Sequence, residues 1–308
     1  MSFSSKFTNG IRLLYDSKFR WLYLAGFGKY NNWNDEDFLK KAFECHMGKK
    51  LNLDNPQTFN EKLQWLKLHD RKPEYTMMVD KYAVRTYIAD TIGEEYLIPL
   101  LGVWDNPDDI DFNALPNQFV LKCNHNSGLG MCICKDKSKL DIAKVKAELR
   151  KGLKQDYYLT SREWPYKNVK RRIIAEKYMT TSEMDDLPDY KIHCFNGEPK
   201  FILYCSERFS ETGTKEDFLN TNWSKLSFKR PDLKCSDKIL KKPSRLNEML
   251  ELAKILSTNI PFLRCDFYEI KGRVYFGELT FFPASGLEAF EPEEWDYKLG
   301  DWLELPRN

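Results

Sequence analysis

The chain has no CxxC pair among its eight cysteines, which stand at Cys45, Cys123, Cys132, Cys134, Cys194, Cys205, Cys235 and Cys265. Cys123, Cys132 and Cys134 are close enough in sequence for a metal cluster, yet their spacing fits no standard zinc signature. Reduced, buried thiols in a cytosolic protein are the economical reading. Long hydrophobic runs are also missing, and no secretory signal is visible. The aromatic stretch 10–28 is broken by Arg12, Asp16, Lys18 and Arg20, so its uncharged part, 21–28, is far too short to span a bilayer. It suits an amphipathic helix that faces the core or touches a membrane surface or partner. A net charge of +2 lacks the concentrated basic surface of a nucleic-acid binder, although one local basic groove remains compatible with it. A GxxxxGK[ST] loop is absent, as is any Ser-His-Asp or Cys-His arrangement. There is no internal repeat and no low-complexity tract.

What is present describes a soluble globular protein: 308 residues, 42% hydrophobic and 31% charged, enough for one large domain or two smaller ones. Thr58 and Glu61 form a capping box ahead of Leu63, Trp65, Leu66 and Leu68, and Pro73 ends that unit. A second helix is expected over 81–92, between Asp80 as N-cap and Gly93 as stop. Strands are expected at 96–103, 119–123, 131–134 and 173–179, with a helix from Asp141 to about Tyr157. Asp189 to Cys205 reads as a hairpin turning at Asn196-Gly197. Residues 206–243 read as a polar insertion, and Ser244 as the cap of a helix to about Leu256. The sum is α+β with antiparallel hairpins, not a repeating βαβ series.

The stretch 263–283, LRCDFYEIKGRVYFGELTFFP, carries the most chemistry. Alternation puts Arg264, Asp266 and Tyr268 on one strand face and Glu278, Thr280 and Phe282 on another. A three-residue connection with Gly272 at the left-handed position would set Asp266 opposite Glu278. Two facing carboxylates and a hydroxyl suit Mg²⁺ holding a nucleotide's phosphates; a surface hairpin with solvated acids is the alternative. Lys122 precedes NHNSGLG, a loop able to offer backbone N–H groups to phosphate, or an ordinary connection. Lys81 and Arg85 share a helix face, and Asp189, Lys191 and His193 share a strand face; each set lines a cleft or lies on wet surface. Lys167, Lys170, Arg171 and Arg172 form a basic run able to grip an anion or simply be solvated.

The order of these signals resembles the ATP-grasp superfamily. The matching elements are Asp80-Lys81, VLK ending at Lys122, AEKYM at 175–179, DYKIH at 189–193 and the hairpin CDFYEIKGRVYFGELT. More narrowly, LNLDNPQTFNEKLQWLKLHDR, DKYAVRTYI, LPNQFVLKCNHNSG, DYKIHCFNGEPKF and FGELTFFPASGLEAF look like the TupA-like branch, associated with teichuronopeptide, capsule and exopolysaccharide biosynthesis. The resemblance implies two α+β lobes clasping ATP over 76–300, with a lid lobe at about 116–176, a helical region 1–75 before them and a tail 301–308. It implies phosphate contacts from Lys81 and Lys122, with Lys122 also near the base, and a lid loop that includes His125, Ser127 and Gly128. It gives a hinge at Glu176, Lys177 and Tyr178, ribose contacts from Asp189, and Mg²⁺ ligands at Asp266, Glu278 and Thr280. Lys191 would lie near the transferring phosphate and Arg264 would stabilise an acyl-phosphate or a carboxylate. Two features depart from the pattern: Thr280 stands where many relatives have Asn, and the helical stretch before Lys81 reads as if the usual Rossmann-like opening domain were absent or replaced.

The implied activity is an ATP- and Mg²⁺-dependent carboxylate–amine ligase. It would join an amino acid to a sugar acid or nucleotide-linked glycan precursor in a bacterial cytoplasm, with a possible membrane-peripheral or glycan-assembly contact through the aromatic N-terminal segment. The alternative is a glycosyltransferase using a nucleotide sugar, for which Asp109-Ile110-Asp111 is a DxD, or else a turn. A non-catalytic scaffold is the third reading, against which both lysines and both acids stand.

Overall fold

The computed structural model describes residues 13–180, 187–207 and 213–306. Helices α1 (Ser17–Gly26), α2 (Asp35–Met47), α3 (Phe59–His69), α4 (Pro73–Val79) and α5 (Val84–Thr91) lead into a first sheet of β1 (Leu100–Trp104), β2 (Phe119–Cys123), β3 (Met131–Cys134) and β4 (Ile173–Lys177). Helices α6 (Ile142–Lys154) and α7 (Tyr157–Ser161) intervene before β4. A second sheet holds β5 (Asp189–Phe195), β6 (Glu198–Ser206), β7 (Lys215–Asn220), β8 (Phe262–Ile270) and β9 (Arg273–Thr280), with α8 (Leu246–Leu256) on its way and α9 (Glu294–Trp302) after it. Strand orders are β1-β4-β2-β3 and β7-β6-β5-β8-β9. Every ladder between these strands is antiparallel, as the hairpin reading requires.

Local chemistry accounts for most boundaries. Thr58 and Glu61 make the capping box at the start of α3, Asp141 accepts from the Lys144 amide at the start of α6, and Asn196-Gly197 turns β5 into β6 with both residues at positive φ. The larger core packs α3, α8 and α9 with the five-stranded sheet; a smaller one lies between α6 and the four-stranded sheet. In α1 Trp21 is buried while Tyr23 is exposed, and Phe27 just after it is also exposed. Residues 10–12 of the aromatic stretch lie outside the described residues. Among the described residues no helix is long and apolar enough to cross a membrane.

Several expectations need correction. The helix expected from Lys81 begins at Val84, because Asp80 spends its carboxylate on the amides of Tyr82 and Ala83 and holds 81–83 as a turn. The strand expected from Tyr96 begins at Leu100, since Glu94–Tyr96 closes into a 3₁₀ turn after Gly93. Ser244 does not cap α8: its hydroxyl donates to Glu269 Oε1, and the helix starts without a side-chain cap. The stretch 206–243 contains β7, which pairs with β6 along its whole length. The β8–β9 connection is two residues, Lys271 and Gly272, both at positive φ.

Candidate active site

Asp266 does face Glu278, by a route other than the one expected. A two-residue turn pairs Ile270 with Arg273 and Phe267 with Phe276, and a bulge at Gly277 then shifts the register so that Asp266 meets Glu278. Gly277 fits the bulge because a Cβ there would stand 3.0 Å from the Asp266 carbonyl oxygen and 3.1 Å from the Tyr268 ring.

On this sheet face five charged side chains form one cluster. Arg264 donates through Nε and Nη2 to the two oxygens of Asp266, each at 2.7 Å, and through Nη2 to Glu278 Oε1 at 2.9 Å. Lys191 Nζ lies 2.5 Å from Asp266 Oδ2 and 3.1 Å from Asp189 Oδ2. Asp266 is 1% exposed, whereas 39% of the Glu278 side chain remains open. Burial opposes the Lys191 charge, but the facing carboxylates, Asp266 foremost, outweigh it and hold the ammonium above its ordinary pKa. Arg264 is likewise raised by Asp266 and Glu278 against burial. Thr280 Oγ1 sits 3.5 Å from Glu278 Oε1.

A second group lines a narrow gap between the two sheets, made by Lys81, Arg85, Lys122, Glu176, Phe276 and Gly277, and Lys81 stands close enough to Glu278 to feel its charge. Lys122 Nζ reaches Glu176 Oε2 at 2.6 Å, and Arg85 Nη1 lies 3.5 Å from the other oxygen. Lys81 Nζ donates to the Asn126 carbonyl at 2.7 Å, and burial depresses its pKa. Lys81 and Arg85 thus both reach the cleft, although no helix turn joins them.

The loop after Lys122 is rooted at its base and open at its tip. Asn124 donates to Asp80 Oδ1 and the Lys170 carbonyl and accepts from the Arg172 amide. His125 is buried with Nε2 3.1 Å from the Gln155 carbonyl, so it is turned away from the cleft, and burial lowers its pKa. Ser127 and Gly128 are exposed. Lys177 is exposed and Tyr178 partly so, beside a shallow depression shared with Leu101, Pro116 and Gln118.

Other sequence candidates do not converge on the cleft. Asp111 accepts from the Asn113 amide and Asp109 lies in a 3₁₀ turn, so the DxD is a turn. Lys170 and Arg172 pair with Asp105, and Arg171 with Asp156. Cys123, Cys132 and Cys134 are free thiols, and among the described residues no three or more His, Cys, Asp or Glu side chains gather to hold a metal.

Two clusters beside the site escaped sequence reasoning. Glu163 is buried, accepts from the hydroxyls of Ser161 and Ser285, and is raised in pKa by that burial. Lys67, with its pKa pushed down to about 8 by burial, donates to the carbonyls of Ser161 and Ser285. Arg230, from the stretch read as an insertion, lies 3.0 Å from Glu288 and 3.5 Å from Glu216. Only the charge of these residues was visible in the sequence; their partners lie far along the chain.

The family model described as TupA-like ATPgrasp matches residues 61–304. No curated protein sequence matches the chain. Among solved structures, the D-alanine–D-alanine ligase from Helicobacter pylori shares 17% identity at a TM-score of 0.42, over 80% of this chain and 69% of that one. The D-alanine–D-alanine ligase from Bacillus anthracis complexed with ATP shares 17% at 0.44, over 74% and 65%. N5-carboxyaminoimidazole synthase from Aspergillus clavatus shares 10% at 0.38, over 67% and 44%. The chain therefore spans less than two thirds of the latter two structures' own length.

Proposed function

The chain belongs to the TupA-like ATP-grasp family and is by that membership an ATP-dependent ligase, and from this premise we propose that it joins a carboxylate to an amine in the cleft between its two sheets. The observation that carries the reading is the Arg264–Asp266–Lys191–Glu278 cluster beside Lys81 and Lys122. An acid buried at 1% exposure between two cations is not the solvated surface acid of an ordinary hairpin, and such charge clusters gather at functional sites.

Asp266 and Glu278 with the Thr280 hydroxyl fit Mg²⁺, which takes one or two carboxylates and completes its shell with water and phosphate oxygens. Bound there, the ion would neutralise and orient the phosphates. Lys81 and Lys122 hold the nucleotide's phosphates, and Lys122 exchanges Glu176 for them. The exposed tip at Ser127 and Gly128 covers them, with His125 fixing the loop from behind. The backbone of Glu176, Lys177 and Tyr178 meets the base. Asp189, buried against Lys191, is better suited to aiming that lysine than to holding a ribose.

A carboxylate oxygen of one substrate attacks the γ-phosphorus and ADP leaves. Lys191 and Arg264 meet the charge that develops on the transferring group. The amine of the second substrate then attacks the acyl carbon, phosphate leaves and the amine gives up a proton. Excluding water protects the acyl-phosphate between the two steps. The substrate classes we assign are an amino acid and a sugar acid or nucleotide-linked glycan precursor of a surface polysaccharide. The enzyme would work in a bacterial cytoplasm.

Calorimetry with Mg²⁺-ATP tests the assignment. Lys122→Ala is expected to bind at least about tenfold more weakly than wild type, the equivalent of about 1.4 kcal/mol from one charge-assisted contact. Glu278→Gln is expected to abolish ATP turnover. Turnover that survives in Glu278→Gln sinks the metal assignment.

A further inference from the structure

A cavity of about 550 Å³ lies between the N-terminal helices and the segment that follows α6, within the size range of small-ligand sites. Trp21 and Phe27 contribute from α1 and its end, Asn31 from the α1–α2 connection, Gln155 and Thr160 from beyond α6, and Leu287 from the loop after β9. Phe27 is 75% exposed, an unusual amount of aromatic surface to leave in water. The Trp21 Nε1 donor and the Gln155 Oε1 acceptor are buried with no hydrogen-bond partner among the described residues. Each such group costs about 1–3 kcal/mol unless something meets it.

These walls are anchored. Arg162, itself buried, donates to the carbonyls of Tyr30, Asn31 and Trp33, and its guanidinium lies over the Phe38 ring at 4.5 Å. The cavity is also tied to the buried Glu163 and Lys67. Ser161 lines it and donates to Glu163, while Lys67 ties the Ser161 carbonyl to that of Ser285, two residues before Leu287. The walls combine apolar and aromatic surface, with Phe27 the most open ring, and polar groups from the amides of Asn31 and Gln155, the hydroxyls of Thr160 and Ser161, and the His46 imidazole. Charged groups at the rim are few and opposed: Lys154, and Asp156, which already pairs with Arg171. A phosphorylated ligand would need clustered cations, and an amino acid would need paired opposite charges facing inward. A sugar ring offers what these walls match, with apolar C–H faces for the aromatic and hydroxyls for the amides.

We infer that this cavity binds the saccharide part of the ligase's second substrate. The inference rests on the ligase reading above. Its test is saturation-transfer NMR on the full chain with cellobiose, N,N′-diacetylchitobiose and digalacturonate, and with alanyl-glutamate as a peptide comparator. Mg²⁺-ATP calorimetry on the same samples runs beside it. Transfer to at least one disaccharide is expected, with binding about tenfold weaker in both Phe27→Ala and Gln155→Leu. Transfer undiminished in both variants, transfer to the dipeptide instead, or no transfer to any disaccharide overturns the assignment. Absence of Mg²⁺-ATP binding by wild type overturns the ligase reading instead, so the two failures are told apart.

Discussion

Glu288 is buried beside Arg230, and burial pushes its pKa up to about 7 despite that cation, from an ordinary 4.5. Below about 4.5 the carboxyl is protonated both folded and unfolded. Between there and about 7 only the folded chain keeps the proton, so stability falls as pH rises through that window. The penalty is complete above about 7 and amounts to about 3 kcal/mol. Glu288→Gln cannot ionise and is expected to lose this decline. Urea unfolding at pH 5 and pH 7.5 reads it directly: a fall between the two pH values that is equal in variant and wild type would place the burden on another group. A glutamate ten residues beyond Glu278 carries no sequence mark of this behaviour. Its cause is burial by the fold, and Arg230, the cation that opposes it, comes from more than fifty residues away in a stretch that looks like a polar loop.

At the scale of one hairpin, the side chains were legible and the backbone device was not. Alternation assigned Asp266 and Glu278 to facing positions, and that pairing holds. Lys-Gly at 271–272 and a lone glycine at 277 were compatible with either a three-residue turn or a two-residue turn plus a bulge. The choice depends on how Gly277 packs against the Asp266 carbonyl. In Gly277→Val the Cβ alone would stand 3.0 Å from that oxygen, and the two methyl groups beyond it must push the strands apart. With the acids displaced by a fraction of an ångström, Mg²⁺-ATP affinity is expected to fall about tenfold while the fold is kept. Unchanged affinity would separate the bulge from the site. The caps tell the same story from the other side. Thr58 with Glu61 was legible because a cap is satisfied within three residues. The turn at 81–83 was misread because Asp80 serves both that turn and Asn124, forty-four residues on.

Across the whole molecule, the contact that no spacing rule could reveal is the one that joins the N-terminal helices to the rest. Arg162 sits at positive φ with 1% of its surface exposed, fed by three carbonyls of the α1–α2 connection and 3.7 Å from Asp35. Asp35 in turn accepts from Tyr158 and from Arg71 at the end of α3. One guanidinium and one carboxylate therefore hold together three segments spread over more than a hundred residues of sequence. Arg162→Met removes the guanidinium that lies over Phe38, leaves those carbonyls without their donor and leaves Asp35 with Arg71 as its cation, a cost of about 1.5–3 kcal/mol. That loss falls on α1 and α2, because the five-stranded sheet has its own core with α8 and α9. Amide exchange is thus expected to quicken across 17–47 and to stay unchanged in β5 and β8, with Mg²⁺-ATP binding retained and disaccharide transfer lost. Exchange that rises as much in β5 and β8 as across 17–47 would mean that Arg162 supports the whole core, and the helices could not then be treated as a separate wall built onto the ATP-binding lobes.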